Sequence, residues 1–150
     1  MTGTLTHETR HRARELALQW LYQWEVGGLE LDQVFDADHQ IELRPADEAR
    51  DALAESLVRG TAAALPEIDP LISEQAHGWR IERMPIVDRL IVRLAVYELR
   101  AEPETPHPVI INEALELAHT FSTDEAVKFI NGVLDGIRKL VRPDASQTPS

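Results

Sequence analysis

Apolar residues recur along this chain at helical rather than alternating spacing. Ala13, Ala17, Trp20, Leu21 and Trp24 fall at i, i+4, i+7, i+8 and i+11. That stripe predicts a helix from about Thr6 to Glu25, stopped by Gly27-Gly28. Leu31, Val34 and Phe35 mark the inner side of a short acidic helix between Leu29 and His39. Pro45 suits a first helical turn. Leu53, Leu57 and Val58 then give the inner face of a helix ending near Leu65. Asp69-Pro70 reads as an N-cap with proline behind it, opening a helix through about His77.

The second half of the chain is more strongly patterned. After Pro85, the rows Ile86-Leu90-Leu94 and Val87-Ile91-Ala95 lie side by side, and Val92, Val96 and Leu99 widen them. A helix apolar around most of its circumference belongs at the centre of a bundle. The stretch AEPETPHP is a connector. Pro108 opens a helix carrying Val109, Ile111, Ala114, Leu115 and Ala118 and ending near Phe121. Ser122 with Glu125 three residues later has the form of a capping box. Phe129, Ile130, Val133, Leu134, Ile137 and Val141 give the inner face of the last helix. The reading is all-α: about seven helices, short connections, one domain over residues 1–142, and a polar disordered tail over 143–150.

Composition narrows what such a bundle does. The 43% apolar content suits a globular core, and the absence of cysteine excludes disulfides, thiolate metal sites and cysteine nucleophiles. No apolar stretch is long enough for a membrane span. The net charge of −11 argues against nucleic acid until its distribution is considered. The segment from Glu25 to Glu55 holds ten acids against Arg44 and Arg50 and supplies most of the deficit, whereas residues 1–24 and 136–150 are each slightly basic. With a Debye length of about 8 Å, a local cationic patch is felt despite a distant acidic lobe.

Few motifs carry chemistry. His7-Glu8-Thr9-Arg10-His11 has the H-E-x-x-H spacing of zinc hydrolases. It sits at a fraying terminus among Arg10, Arg12 and Arg14, with no third ligand in view, so no metal or other cofactor is expected. No nucleophile elbow, phosphate loop or dinucleotide fingerprint is present, and the carboxylates fall on faces expected to be exposed. Arg10, Arg12 and Arg14 form a multi-donor cluster for phosphate, with Tyr22 further along the same helix as a stacking surface. The same cluster also reads as a solvated basic helix end. Asn112 and Asn131 lie in apolar helical surroundings and are expected to be buried and hydrogen-bonded, and Gly132 is expected to let helices pack closely.

These residues together resemble the NusB family. Arg12-Ala13-Arg14-Glu15, Ala17-Leu18-Gln19 and Leu21-Tyr22 match its opening helix. Asp88-Arg89, Arg93-Leu94-Ala95 and Tyr97-Glu98-Leu99 match its central helix. Pro108-Val109, Ile111-Asn112-Glu113-Ala114, Glu116-Leu117-Ala118 and Phe121 match the next, and Lys128-Phe129-Ile130-Asn131-Gly132-Val133-Leu134-Asp135 the last. The resemblance implies two small helical bundles and no covalent chemistry. It implies a cytoplasmic transcription antitermination factor that binds boxA-type single-stranded RNA with the ribosomal protein NusE. That complex would change RNA polymerase so that it reads through terminators, notably in ribosomal RNA operons. The RNA-facing set would be Arg10, Arg12, Arg14, Tyr22, Lys128 and Phe129, and the NusE-facing set would include Glu82, Asp88 and Arg93. Two further readings stay open: a protein-only helical adaptor, and a homodimer that covers its RNA face. A third, a fragment of an RNA methyltransferase fused to such a domain, lacks the catalytic domain and cysteines that fusion needs.

His11 and His119 stand where the family usually carries basic residues. An imidazole titrates near about 6.5, so both add positive charge at pH 6 and little at pH 8. RNA affinity is expected to be higher at pH 6, which titrations at the two pH values check; equal affinities would dismiss any role for the histidines.

Overall fold

The computed structural model describes residues 5–39, 47–77 and 80–143. Among them are seven α-helices, one 3₁₀ turn and no strand. The chain divides into two compact units, Met1–Ala62 and Ala63–Ser150.

Unit 1 holds α1 (His7–Gly27), α2 (Leu31–His39) and α3 (Glu48–Ala63). Thr6 caps α1 by accepting from the Thr9 amide, and Gly28 ends it in the left-handed region at φ 67°, where glycine carries no Cβ penalty. Trp20 is fully buried and meets Phe35 of α2 edge-on at 4.8 Å between centroids. The Arg59 guanidinium of α3 lies over that Phe35 ring at 4.9 Å and pairs with Asp32 and Glu55. The acidic composition of this unit is therefore partly answered by one arginine that also packs on an aromatic face.

Unit 2 holds α4 (Leu65–Gln75), a 3₁₀ turn (Ile81–Arg83), α5 (Ile86–Ala101), α6 (His107–Phe121) and α7 (Asp124–Val141). α5 packs against α4, α6 and α7. Its Leu90, Ile91, Val92, Leu94, Ala95, Val96 and Leu99 are all buried, as its all-round apolar pattern requires. Just past α7, Arg142 donates to the main-chain carbonyls of Glu98, Leu99 and Glu102 at the end of α5 and of Thr105 in the connector. Of these, the Leu99 carbonyl lies in the last turn of α5, where a helix leaves acceptors without partners, whereas those of Glu98 and Glu102 also accept from the amides of Glu102 and Thr105.

Several expectations are corrected. α4 begins at Leu65, with Pro66 in its first turn and Pro70 inside the helix, so Asp69 is not a cap. Two prolines four residues apart fit equally well in sequence, and the earlier one takes the first turn because α3 ends just before it. α7 is capped by Thr123, whose side chain accepts from the Ala126 amide, rather than by Ser122. Among the described residues Gly132 makes no close helix contact: a Cβ there would meet nothing within 4 Å. Gly136 has that role, since its Cβ would lie 2.2 Å from Oε1 of Gln75 on α4. Asn112 and Asn131 are exposed rather than buried. Conversely, Asp38, Asp88, Glu98 and Glu113 are buried, although carboxylates were expected on outer faces. Pro45 and the tail from residue 144 lie outside the described residues.

Candidate nucleic-acid interface

The arginine cluster of α1 is split by the helix that carries it. Arg10, Arg14, Ala17 and Leu21 follow one another at i, i+4, i+7 and i+11, so this row runs from the helix end into the interior. Arg10 is half-exposed at its start, but Arg14 retains only 3% of its accessible surface. The expected three-pronged fork is corrected on this point: Arg14 is a buried cation. Arg12 lies on the opposite, exposed arc, its Nη2 2.8 Å from Glu8 Oε1. The Arg12 guanidinium holds the Glu8 carboxyl below its ordinary range, chiefly through this hydrogen bond. An ion pair between two exposed side chains is readily exchanged for another anion, because its net contribution is small. Arg12 also lines a small polar cleft with Glu15, Gln19 and Arg50. Tyr22 is 43% exposed, as expected of a stacking residue. Nε2 of His11 is 3.6 Å from Glu15 Oε1.

Unit 2 carries the remaining residues, and α7 places most of them. Its acidic first turn and basic last turn complement the helix dipole. There Lys139 and Arg138 hold the Asp135 carboxyl below its usual range, mainly through hydrogen bonds. Lys128 is exposed and Phe129 half-buried. Phe129 forms a wall common to two clefts. One, of 280 Å³, is lined by Met84, Pro85, Asp88, Thr123, Glu125 and Phe129. The other, of 430 Å³, includes Lys128, Gly132 and His77.

The expected partner-facing residues differ among themselves. Glu82 is exposed in the 3₁₀ turn. Asp88 is 5% exposed, reaches the smaller cleft, and accepts from Ser122 Oγ at 2.5 Å. The hydroxyl that resembled a helix cap thus fixes a buried carboxylate instead. Arg93 is 8% exposed and makes a two-pronged pair with Asp69 of α4, at 2.9 and 2.8 Å. It ties α5 to α4 and offers little surface to a partner. Within unit 2 the structure therefore brings Asp88 and Phe129 to one cleft and leaves Arg93 outside it. Thr123 and His77 were not singled out from sequence, and Glu125 entered only as half of the expected capping box. Thr123 was legible as an alternative cap one residue later, whereas nothing in the sequence pattern points to His77.

Fold and surface define a class: an all-helical, two-unit protein that presents arginine and aromatic side chains on helix faces and in open clefts. The chain belongs to the NusB family, whose family model matches residues 11–139. The transcription antitermination protein NusB of Solibacter usitatus is 44% identical over 142 residues, covering 95% of this chain and 96% of that protein. Its counterpart in Koribacter versatilis is 43% identical, with 91% and 92% covered. Among solved structures, NusB of T. maritima superposes with a TM-score of 0.76 at 34% identity, covering 93% of each chain. A crystal structure of antitermination factors NusB and NusE in complex with double-stranded RNA superposes with a TM-score of 0.78 at 27% identity, covering 90% of this chain and 99% of that one. Among the described residues, no helix is long and apolar enough to cross a membrane.

Proposed function

We propose that this protein is a cytoplasmic, non-enzymatic antitermination factor. It binds boxA-type single-stranded RNA together with NusE and promotes read-through by RNA polymerase, notably in ribosomal RNA operons. The observation that supports RNA and NusE binding is the likeness, over nine-tenths of this chain, to a chain solved with NusE and double-stranded RNA. Residues 1–142 act as one functional domain. Arg10, Arg12 and Tyr22 of unit 1 and Lys128 and Phe129 of unit 2 contact RNA, and buried Arg14 supports that surface as a fixed positive charge. Glu82 and Asp88 face NusE, and Arg93 acts by holding α5 and α4 in place. The protein works as an assembly platform. Two weak contacts on one body reinforce each other and raise apparent affinity by about 10²–10⁴ when geometry allows both.

The test is fluorescence anisotropy of a labelled boxA-type RNA titrated with the protein, with and without NusE, at several salt concentrations. Tighter binding with NusE, and a salt slope worth several phosphates, is the expected result. No binding in either condition overturns the RNA reading. The protein-only adaptor or the self-covering homodimer then takes its place, and sedimentation separates those two.

A further inference from the structure

Two residues on the wall of the 430 Å³ cleft are each poorly chosen for the stability of the chain alone. Gly132 sits in the middle of α7, where glycine is the least favourable residue after proline. Glycine in a helix is usually explained by close packing or by a positive φ. Neither applies here: its position is exposed, a Cβ would meet nothing within 4 Å among the described residues, and its φ is not positive. His77, just past the α4 C-cap Ala76, shows the converse. Its φ is +46°, in the left-handed region where glycine is the ordinary occupant. So a side chain is missing where the backbone favours one, and present where the backbone favours none. Both departures face the same cleft, beside exposed Lys128 and the half-buried ring of Phe129. Gly136, one turn beyond Gly132, supplies the contrast, because the contact with Gln75 accounts for it within the fold.

Local choices that cost stability without an internal reason mark places shaped for something outside the chain. We infer that this cleft is a nucleotide subsite, in which the sugar–phosphate backbone of single-stranded RNA runs against the bare backbone of α7 at Gly132. This rests on the RNA-binding reading above and adds two residues to it. The cleft volume lies within the range of about 300–1,000 Å³ typical of small-ligand sites. Lys128, one turn before Gly132 on α7, supplies the cation for a phosphate. Phe129 offers a face to a base, and the His77 imidazole closes the opposite wall as a second planar surface or hydrogen-bond donor.

Three variants of the full-length protein test this against the labelled boxA-type RNA in the presence of NusE. Gly132→Ala is expected to melt about 2–4 °C higher, because alanine suits the helix and has room. It is nevertheless expected to bind RNA about tenfold more weakly, since even a methyl group obstructs the backbone and the stacking it permits. Gly132→Lys is expected to bind more weakly still, although it adds a positive charge. His77→Gly is expected to raise the melting temperature and lower affinity. Unchanged affinity in Gly132→Ala, or tighter binding in Gly132→Lys, overturns the subsite. A lower melting temperature in Gly132→Ala does so too, by revealing an internal role for the glycine. Failure of the wild-type protein to bind RNA overturns the antitermination reading itself, and the subsite with it.

Discussion

Arg93→Ala is expected to lower the melting temperature by about 6–12 °C while leaving RNA affinity, measured well below the transition, unchanged. The Arg93 side chain is 10% exposed and its partner Asp69 28% exposed, and both prongs of the guanidinium are engaged. Removing one member of such a pair leaves a largely buried carboxylate without its counter-charge. For a buried pair that costs about 3–5 kcal/mol, and the lower end applies because Asp69 keeps some contact with water. At about 2–4 °C per kcal/mol for a chain of this size, 3 kcal/mol gives the stated shift. Arg93→Met is expected to be milder than Arg93→Ala, since its apolar stem refills part of the space between α4 and α5. Differential scanning calorimetry decides the matter. A melting temperature within 1 °C of wild type, combined with loss of NusE binding, would return Arg93 to the partner surface.

Tyr22→Ala is the complementary case, a large functional effect with little effect on stability. The ring is 43% exposed on α1, so its loss leaves no cavity in the core. If it stacks on a base, its removal weakens RNA binding by about 1–3 kcal/mol, roughly 5- to 150-fold. Tyr22→Phe should retain most of the affinity. The salt dependence distinguishes the aromatic contribution from the cationic one. Tyr22→Ala is expected to leave the salt slope unchanged, whereas Arg10→Ala should reduce it by about one phosphate's worth. Anisotropy at three salt concentrations reads both quantities. An affinity within twofold of wild type for Tyr22→Ala would remove α1 from the stacking surface. Arg14 is a poor choice for such an experiment, because a residue with 3% of its surface left reports on folding as much as on RNA.

The fold was legible in the sequence wherever apolar residues set the period. The apolar rows of α5 cover most of its circumference and leave only a narrow stripe of Arg89, Arg93, Tyr97 and Arg100, and the stripe of α1 ends at a glycine pair whose second member adopts the left-handed conformation the stop requires. Legibility failed where two local solutions were equally good. Pro66 and Pro70 each fit a first helical turn, and Ser122 and Thr123 each fit a cap. The choice between them depends on contacts from distant parts of the chain, as when Ser122 is drawn to Asp88, 34 positions earlier. The candidate site was legible by residue type but not by burial. The row Arg10, Arg14, Ala17, Leu21 already places Arg14 among inward positions, but a charge count gives no hint of it. Asp88 and Arg93 are buried because Ser122 and Asp69 meet them there, and those partners come from the α6–α7 connector and from α4. Gly132 was misread because glycine in a helix usually signals packing. Only the space around each position separates it from Gly136.

The Arg142 contacts bear on how the molecule is made. Unit 1 is complete once residue 62 has been synthesised. Unit 2 has its central helix early, but the guanidinium that holds the carbonyls of Glu98, Leu99, Glu102 and Thr105 is the last described contact the ribosome adds. It follows about 80 residues later, or about 4–16 s at ordinary rates of synthesis. During that interval the acidic unit 1 is fully synthesised, while the segment bearing Lys128 and Phe129 is still being made. The nascent chain therefore presents its acidic segment first, and the side chains of Lys128 and Phe129 follow later.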